Sequence, residues 1–310
     1  MVAIDRTLSI LASLVTAIFV YELTPYLPFS LAAPPLSIEC TKIGRGCSTG
    51  CKKSGGQCVP VSAASADTAK ADILMRKRSI ESCLAAADIY EAAASVPALG
   101  VAASAALKMQ AADAINCAMR IRTNGNILIL EGTQDTAEFK KYWGMHGPRA
   151  YALVKAARAA GAQKDAASTA IEMDAFMYSS SSKGILRQAV TGAGVTYKAI
   201  ADELVHKYLA QDEGVGHCYV GGFFTVAPWP LGDKARGLKE MNAAFAYAPR
   251  SRRNGYYACL LRYMHDDYAG AAKACEAALS GRCDGPTTPD YCPFLTSQTK
   301  RLLQLSKKKL

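Results

Sequence analysis

The sequence has few of the residues and motifs that most often carry chemistry. Its 310 residues include four histidines and two tryptophans. It contains no P-loop, C-x-x-C or HExxH motif, and no GxSxG or GxGxxG in the strand–helix context that gives those patterns their meaning. These absences argue against nucleotide hydrolysis, dithiol redox chemistry and zinc-dependent proteolysis. We therefore expect a protein that is not an enzyme, with no catalytic residue, cofactor or metal.

The sequence also lacks an apolar run of the length that a membrane span usually has. The best candidate, Leu8 to Tyr21, is uncharged but shorter than the roughly 20 residues that a spanning helix needs. Its length is typical of a signal peptide, and small residues follow at Ser30, Ala32 and Ala33. We expect residues 1–36 to be a cleaved signal peptide, with an uncleaved signal-anchor as the alternative. Either one predicts a secretory route to an extracytoplasmic or lumenal compartment, with a membrane tether in the second case.

Acidic residues are in deficit, because 36 Lys and Arg stand against 26 Asp and Glu, a formal net charge of +10. A basic balance suits acidic partners such as anionic lipid, an acidic protein face or nucleic acid. The basic residues are scattered and no nucleic-acid motif accompanies them, which argues against nucleic acid. In the C-terminal tail, leucines such as Leu302 and Leu303 precede Lys307–Lys309. This tail is expected to be a solvated, frayed helix or an amphipathic segment on anionic lipid.

Cysteine, in contrast, is plentiful, with eleven residues in all. Four of them stand at C-x6-C-x3-C-x6-C spacing among Lys, Gly and Ser residues, namely Cys40, Cys47, Cys51 and Cys58. Such a segment cannot build an apolar core, so we expect two disulfides there in one of three connectivities. Zinc is the less favoured alternative, because its ligands usually stand closer together in the sequence.

The other cysteines fall into two groups. Cys283 and Cys292 bracket a turn-rich loop and predict a further disulfide. Five lie in or beside helical segments and are expected to be buried free thiols, namely Cys83, Cys117, Cys218, Cys259 and Cys275. Because the total is odd, at least one thiol must lack a partner within the chain.

From Asp67 onward, apolar residues recur mostly at three-to-four spacing. This pattern predicts about eight to ten helices and no clear strand. The apolar run Ile127 to Leu130 is too short for its period to separate a strand from a helical turn. Helix breaks are expected at Gly147-Pro148 and at Gly221-Gly222. Helical hairpins joined by short turns define an α-solenoid or an α-bundle.

The segment from Gly221 to Leu279 follows the order of a tetratricopeptide-like (TPR-like) repeat. Pro228-Trp229-Pro230 presents an aromatic side chain in a rigid turn, and Asp233 can cap a helix that begins at Lys234. Asp266-Asp267 then marks a second turn. The last helix carries the residues that such a repeat places there, namely Tyr268, Ala271, Cys275 and Ala278.

This segment resembles the accessory T component of tripartite (TRAP-type) transporters and, more distantly, the regulator of microtubule dynamics proteins. The resemblance covers residues 214–279. It is carried by Gly221-Gly222, Pro228-Trp229-Pro230, Leu231-Gly232-Asp233, Ala244 and Pro249. It implies an extracytoplasmic TPR-like protein that serves a transporter or membrane assembly by binding, without catalysis.

Together these patterns predict an all-α, TPR-like solenoid of helical hairpins over residues 66–280. A Cys-rich loop at 37–65 precedes it, and a Cys-bracketed loop with a basic tail at 281–310 follows. The candidate contacts for a ligand or partner are Phe223, Phe224, Trp229, Tyr256 and Arg262. For the aromatic candidates the alternative is ordinary packing against the core.

The expected function is that of a non-enzymatic binding or scaffold protein. Its partner would be a protein, a membrane complex or a small ligand, with an anionic membrane surface as a further candidate. Two alternatives stay open: a structural subunit of a membrane-bound assembly, and a thiol-dependent enzyme. For the enzyme, the adjacent His217 and Cys218 are the nearest pair, although sequence neighbours on a helix do not face each other.

Overall fold

The computed structural model describes residues 42–43, 46–47, 51–54, 57–60, 64–97, 99–184 and 191–310, with the backbone alone for residues 42–67. These residues contain eleven α-helices. The helices are α1 (Ala64–Lys77), α2 (Ile80–Ala94), α3 (Val101–Arg122), α4 (Ala137–Ala159), α5 (Ala166–Ser181), α6 (Ala193–Lys207), α7 (Val215–Val226), α8 (Lys234–Tyr247), α9 (Arg252–Met264), α10 (Tyr268–Ser280) and α11 (Cys292–Lys307). Short 3-10 turns lie at Asn124–Asn126, Gln211–Glu213 and Thr288–Asp290.

Side-chain caps determine where several helices begin. Ser79 precedes α2 and Asp165 precedes α5, and each forms a reciprocal capping box with the serine three residues on. Asp233 and Asp267 cap α8 and α10 by accepting a backbone N–H group three residues on. The helix starts predicted after these two aspartates are therefore confirmed.

The helices pack in the order of the chain, because each one contacts the next, and α3 also contacts α5 while α9 contacts α11. Their apolar side chains form two main clusters. The first draws on α1 to α7 and includes Trp143 and Tyr178, and the second draws mainly on α8 to α11 and includes Tyr256 and Leu260. Much of the first cluster is alanine, which lets neighbouring helices approach closely. The prediction of sequentially packed helical hairpins is confirmed at this level.

Helix α4 runs unbroken through Gly147 and Pro148, so the break predicted there is wrong. Pro148 removes one backbone donor, but the helix is held on both sides by buried residues such as Trp143 and Val154. Gly147 lies at the contact with α5, where an added Cβ would be 2.8 Å from the backbone nitrogen of Ser179. The glycine therefore permits a close helix crossing and does not end the helix.

The helix stop predicted at Gly221-Gly222 is also wrong, because α7 continues to Val226. A Cβ on Gly221 would lie 3.1 Å from the carbonyl oxygen of Gly237 on α8. The glycine is thus at the point where α7 and α8 approach each other. Packing between the two helices compensates for the weak helix propensity of the glycine pair.

The Cys-rich segment contains four short strands, where the sequence pattern predicts no clear strand. β1 (Lys42–Ile43) pairs with β2 (Gly46–Cys47), and β3 (Cys51–Ser54) pairs with β4 (Gln57–Pro60), both antiparallel. In the sequence Gly55-Gly56 separates β3 from β4, and two glycines suit a tight hairpin turn. The segment Ile127–Leu130 is neither a strand nor a helix, although Ile129 forms an isolated bridge with Gly132.

Three disulfides join cysteines of the described residues. Cys283–Cys292 confirms the predicted loop bridge. The expectation of free thiols is wrong for four helical cysteines, because Cys83 pairs with Cys117 and Cys259 pairs with Cys275. In each of these pairs neighbouring helices bring the Cα atoms within 6.0 Å or less, a normal separation for a disulfide. Three disulfides indicate an oxidising, extracytoplasmic compartment.

Some predictions fall outside what the structure describes. Residues 1–36 and Cys40 are not described, nor are the side chains of Cys47, Cys51 and Cys58. The signal sequence and the two disulfides of the Cys-rich segment therefore stay predictions. Among the helices of the described residues, none combines the length and the apolar character that a membrane crossing requires.

The C-terminal tail belongs to the packed helices, so the prediction of a frayed, solvated helix is wrong. Leu295, Thr299 and Leu302 of α11 are buried. They lie against α9 and α10, which are the helices that α11 contacts. Because the apolar face of α11 is covered by protein, it is not available to a lipid surface.

Two glycines provide a matched test of this packing. We expect Gly147→Ala to lower the free energy of unfolding by about 1–3 kcal/mol, because the methyl group would meet the α5 backbone. We expect Gly222→Ala to raise it by up to about 1 kcal/mol, because alanine favours the helix and its Cβ meets no atom within 4 Å. Chemical denaturation of both variants measures the difference, and effects of equal sign would contradict the helix packing described here.

Candidate functional site

A cavity of about 160 Å³ lies between α3, α5, α6, α7 and α9. The segments after α3, α7 and α10 complete its wall. Its apolar lining includes Ile127, Leu128, Met177, Val226 and Leu231. A dry apolar cavity of about 150 Å³ can hold a molecule the size of benzene. The cavity is therefore large enough for a small organic molecule.

Aromatic side chains form much of the cavity wall. The ring of Tyr197 lies 6.3 Å from that of Tyr219 and 6.1 Å from that of Phe223, measured between centroids. Tyr257 and Tyr291 line the cavity from the side of α9 and α11. Helical spacing places Tyr219, Gly222 and Phe223 on one side of α7, and a Cβ added to Gly222 would meet no atom within 4 Å. The result is an aromatic-walled site of the kind that binds small molecules.

Two tyrosine hydroxyls at this wall have no hydrogen-bond partner within the part of the chain that the structure describes. They belong to Tyr197 and Tyr257, both of which line the cavity. Burial raises the pKa of both side chains, so both hydroxyls are protonated at neutral pH. A neutral hydroxyl both donates and accepts a hydrogen bond. These groups can therefore bind a polar end of a ligand.

A buried ion cluster forms one end of the cavity. The Nε and Nη1 atoms of Arg120 each lie 2.7 Å from a carboxylate oxygen, of Asp290 and Asp174 respectively. The hydroxyl of Tyr219 donates to Asp174, and Arg78 also pairs with Asp290. Burial opposes the charge of Arg120, but the surrounding carboxylates raise the pKa of Arg120 well above its usual value. Burial raises the pKa of Asp174, against the lowering effect of Arg120.

A second buried ion pair lies at the α9 side of the cavity. The Nη1 atom of Arg253 is 2.8 Å from a carboxylate oxygen of Asp212, and its other terminal nitrogen donates to the Asp212 carbonyl. The hydroxyl of Thr287 donates to the same carboxylate at 2.6 Å. The arginines that line the cavity therefore already have anionic partners within the protein. A charged ligand would gain little here, whereas an uncharged polar group can bind the tyrosine hydroxyls.

Cys218, the free cysteine among the described residues, also lines the cavity. Burial raises the pKa of its thiol to about 11. The neighbouring His217 does not activate it, because the His217 Nδ1 atom lies 2.7 Å from a carboxylate oxygen of Glu240. A reactive thiol needs a lowered pKa. The surroundings of Cys218 therefore oppose nucleophilic chemistry.

Of the three aromatic residues predicted as contacts near the α7–α8 turn, only Phe223 lines the cavity. Phe224 is buried beside it, with the Arg236 guanidinium 4.1 Å from its ring centroid. Trp229 lies on the turn and is 86% exposed. The structure therefore places the three residues in different surroundings, and their roles as contacts stay predictions.

The other two predicted contacts lie away from the cavity. Tyr256 is fully buried, and its hydroxyl donates to the carbonyl oxygen of Leu128 at 2.6 Å. Arg262 is half-buried and binds Asn242 and Asp267 at 3.1 and 3.2 Å. Both residues therefore have partners within the protein.

Most residues of the cavity wall, unlike Phe223, are not among the contacts predicted from the sequence. The sequence carries a signal for two of them, because Arg120 and Asp174 each stand directly between two apolar residues of a predicted helix. Charged residues are rarely buried unless paired, so two such positions of opposite sign suggest a buried pair. Tyr197, Tyr219 and Tyr257 carry no comparable signal, because tyrosine on a helix is common in ordinary cores.

Within the described ranges of the chain, no three His, Cys, Asp or Glu side chains come together in an arrangement that could hold a metal ion. No protein-family model matches the chain, and no curated protein matches it either. The shape and chemistry of the cavity are therefore the basis for any statement about function.

The ion cluster predicts a large effect of removing its cation. We expect Arg120→Met to lower the free energy of unfolding by about 3–5 kcal/mol, because it leaves Asp174 buried without a cationic partner. Adding Asp174→Asn should restore part of the loss. Because protonation of Asp174 removes the same charge, the gap between the single and double variants should narrow as the pH falls. Denaturation at several pH values measures this, and a pH-independent gap would contradict the assignment.

The surroundings of Cys218 predict a slow thiol. In the folded protein we expect alkylation by iodoacetamide to be slow at neutral pH and to accelerate as the pH approaches about 11. Mass spectrometry of the Cys218 peptide measures the rate, and protein unfolded without reductant provides the control for an accessible thiol. Rapid alkylation of the folded protein at neutral pH would instead support the thiol-enzyme alternative.

Proposed function

We propose that this chain is a non-enzymatic, TPR-like binding protein that takes a small molecule into the cavity between α5, α6, α7 and α9. The observation that carries the proposal is the aromatic wall with two tyrosine hydroxyls, of Tyr197 and Tyr257, that have no partner in the described part of the protein. A hydroxyl that has no partner within the protein can donate to a bound molecule and accept from it. A ligand with one polar group can therefore form a hydrogen bond at this position.

The lining also defines the kind of ligand. Arg120 and Arg253 are paired with carboxylates, so an ionic ligand meets no unpaired arginine at that end of the cavity. The remaining surface is mostly aromatic and aliphatic. The best fit is an uncharged molecule with an apolar body and one polar group, such as a phenol or a short-chain alcohol.

Two further observations support a location and a partner for the protein. The three disulfides support a location outside the cytoplasm. The resemblance of residues 214–279 to the accessory component of tripartite transporters supports a role beside a transport system or membrane complex. The packing of α7 to α10 in the order of the chain also supports TPR-like hairpins in this segment.

Gly222 permits a direct test of the cavity as the binding site. A side chain at this position enters open space, so Gly222→Leu should fill the cavity and leave the fold intact. We expect phenols and four- to eight-carbon alcohols to raise the melting temperature of the wild-type protein, through preferential binding to the folded state. The same compounds should have little effect on Gly222→Leu.

Gly222→Ala is the matched control, because it adds only one methyl group and should retain most of the response. Calorimetric titration of the most effective compound then gives the affinity for all three proteins. Equal stabilisation of the wild type and Gly222→Leu would show that binding occurs elsewhere. No stabilisation of the wild type by any compound would leave the cavity without its proposed ligand class and overturn the proposal.

A further inference from the structure

The turn between α7 and α8 presents large apolar side chains to solvent. Four consecutive residues, 228–231, are exposed, and among them Trp229 is 86% and Leu231 48% exposed. The other tryptophan of the chain, Trp143, is fully buried. A tryptophan exposed to this degree gains nothing from the core. The residues around Trp229 therefore indicate what kind of partner surface would cover its indole ring.

The backbone holds this turn in a defined shape. Pro228 and Pro230 restrict the backbone on either side of Trp229. The N–H of Leu231 donates to the carbonyl of Pro228 at 2.9 Å, and the N–H of Asp233 donates to that of Phe224 at 2.9 Å. The indole is therefore held outward by a rigid turn. Contact with a partner would require little further ordering of the backbone.

Three exposed cations follow the turn within the first two turns of α8, namely Lys234, Arg236 and Lys239. Within the described residues none of them forms an ion pair. The nearby acids are engaged elsewhere, because Asp233 caps α8, Glu240 faces His217, and Asp202 pairs with Lys198. Cations near a helix N-terminus oppose the helix dipole. Arg236 also packs on the buried Phe224 ring, with its guanidinium 4.1 Å from the ring centroid. The stability of α8 therefore does not account for the charges of Lys234 and Lys239.

We propose that residues 228–231 together with Lys234, Arg236 and Lys239, here called the Trp229 patch, dock on an anionic lipid bilayer. Tryptophan favours the membrane interface because its ring is apolar and its N–H is polar. The three exposed cations, none of which forms an ion pair within the described residues, complement the negative charge of acidic headgroups. A projecting apolar tip flanked by cations suits a deformable lipid surface better than a protein surface, which would need a preformed pocket for the indole.

The patch also adjoins the cavity. Pro228 and Leu231 line the cavity as well as forming part of the exposed turn. Docking would therefore bring the cavity mouth close to the lipid phase, from which an apolar molecule can enter. The docking inference rests on the surface residues alone and does not depend on the identity of the ligand.

The test uses the full chain with vesicles of phosphatidylcholine, or of phosphatidylcholine with an equal amount of phosphatidylglycerol. With the anionic vesicles, we expect the tryptophan emission to shift to shorter wavelength and lipids with brominated acyl chains to quench it. In Trp229→Ser the remaining signal comes from buried Trp143 and should be neither shifted nor quenched. All variants share one N-terminus, so any membrane affinity of Leu8–Tyr21 is the same in each.

Charge variants test whether the three cations of the Trp229 patch contribute to lipid binding. Replacing Lys234, Arg236 and Lys239 by Gln should weaken partitioning by about fivefold for each charge removed. The matched control replaces Lys307, Lys308 and Lys309 by Gln, which removes the same charge at the far end of α11 and should have a much smaller effect.

Three results would overturn the inference. The first is a Trp229 emission that does not respond to the anionic vesicles. The second is a response that is equal on neutral vesicles or equally reduced by the control variant. The third is a Trp229 response to polyglutamate but not to vesicles, which would assign the patch to an acidic protein partner instead.

Discussion

A guanidinium buried among carboxylates connects α3 to the segment between α10 and α11. Helices packed in chain order contact mainly their neighbours. Arg120 on α3 adds a contact between distant parts of the chain by binding Asp290, 170 residues later, while also binding Asp174 on α5. Burying these charges is costly, so the cluster stabilises this arrangement only because every member is paired.

The same cluster organises the space around it. Arg120, Asp174 and Tyr219 line both the main cavity and a smaller one of about 140 Å³ on the other side. Because these three side chains bind one another, they do not turn into the apolar cavity beside them and fill it. The cavity wall is completed by rings from α6, α7 and α9, and the turn after α7 links this wall to the exposed Trp229 patch. Ligand binding and surface docking would thus involve one connected region.

Much of the secondary structure could be predicted from the sequence because its causes are local. Asp233 and Asp267 cap helices through hydrogen bonds to backbone groups three residues away, and the loop between Cys283 and Cys292 is short enough for the pair to meet. The candidate site could be predicted less well. Phe223 can be selected as a candidate from its place beside the α7–α8 turn, and it lines the cavity, but Tyr197, Tyr219 and Tyr257 come together only when α6, α7 and α9 pack.

The helical class, the caps and the basic, cysteine-rich character of the chain depend on composition and on neighbours a few residues apart, so they can be predicted before the fold is known. The pairing of the helical cysteines depends on how the helices pack, since Cys83 meets Cys117 and Cys259 meets Cys275 only across neighbouring helices. Packing is also the reason that Gly147 and Gly221 lie inside continuous helices at close crossings. Periodicity shows which face of a helix is apolar, but not which residues of another helix lie against it.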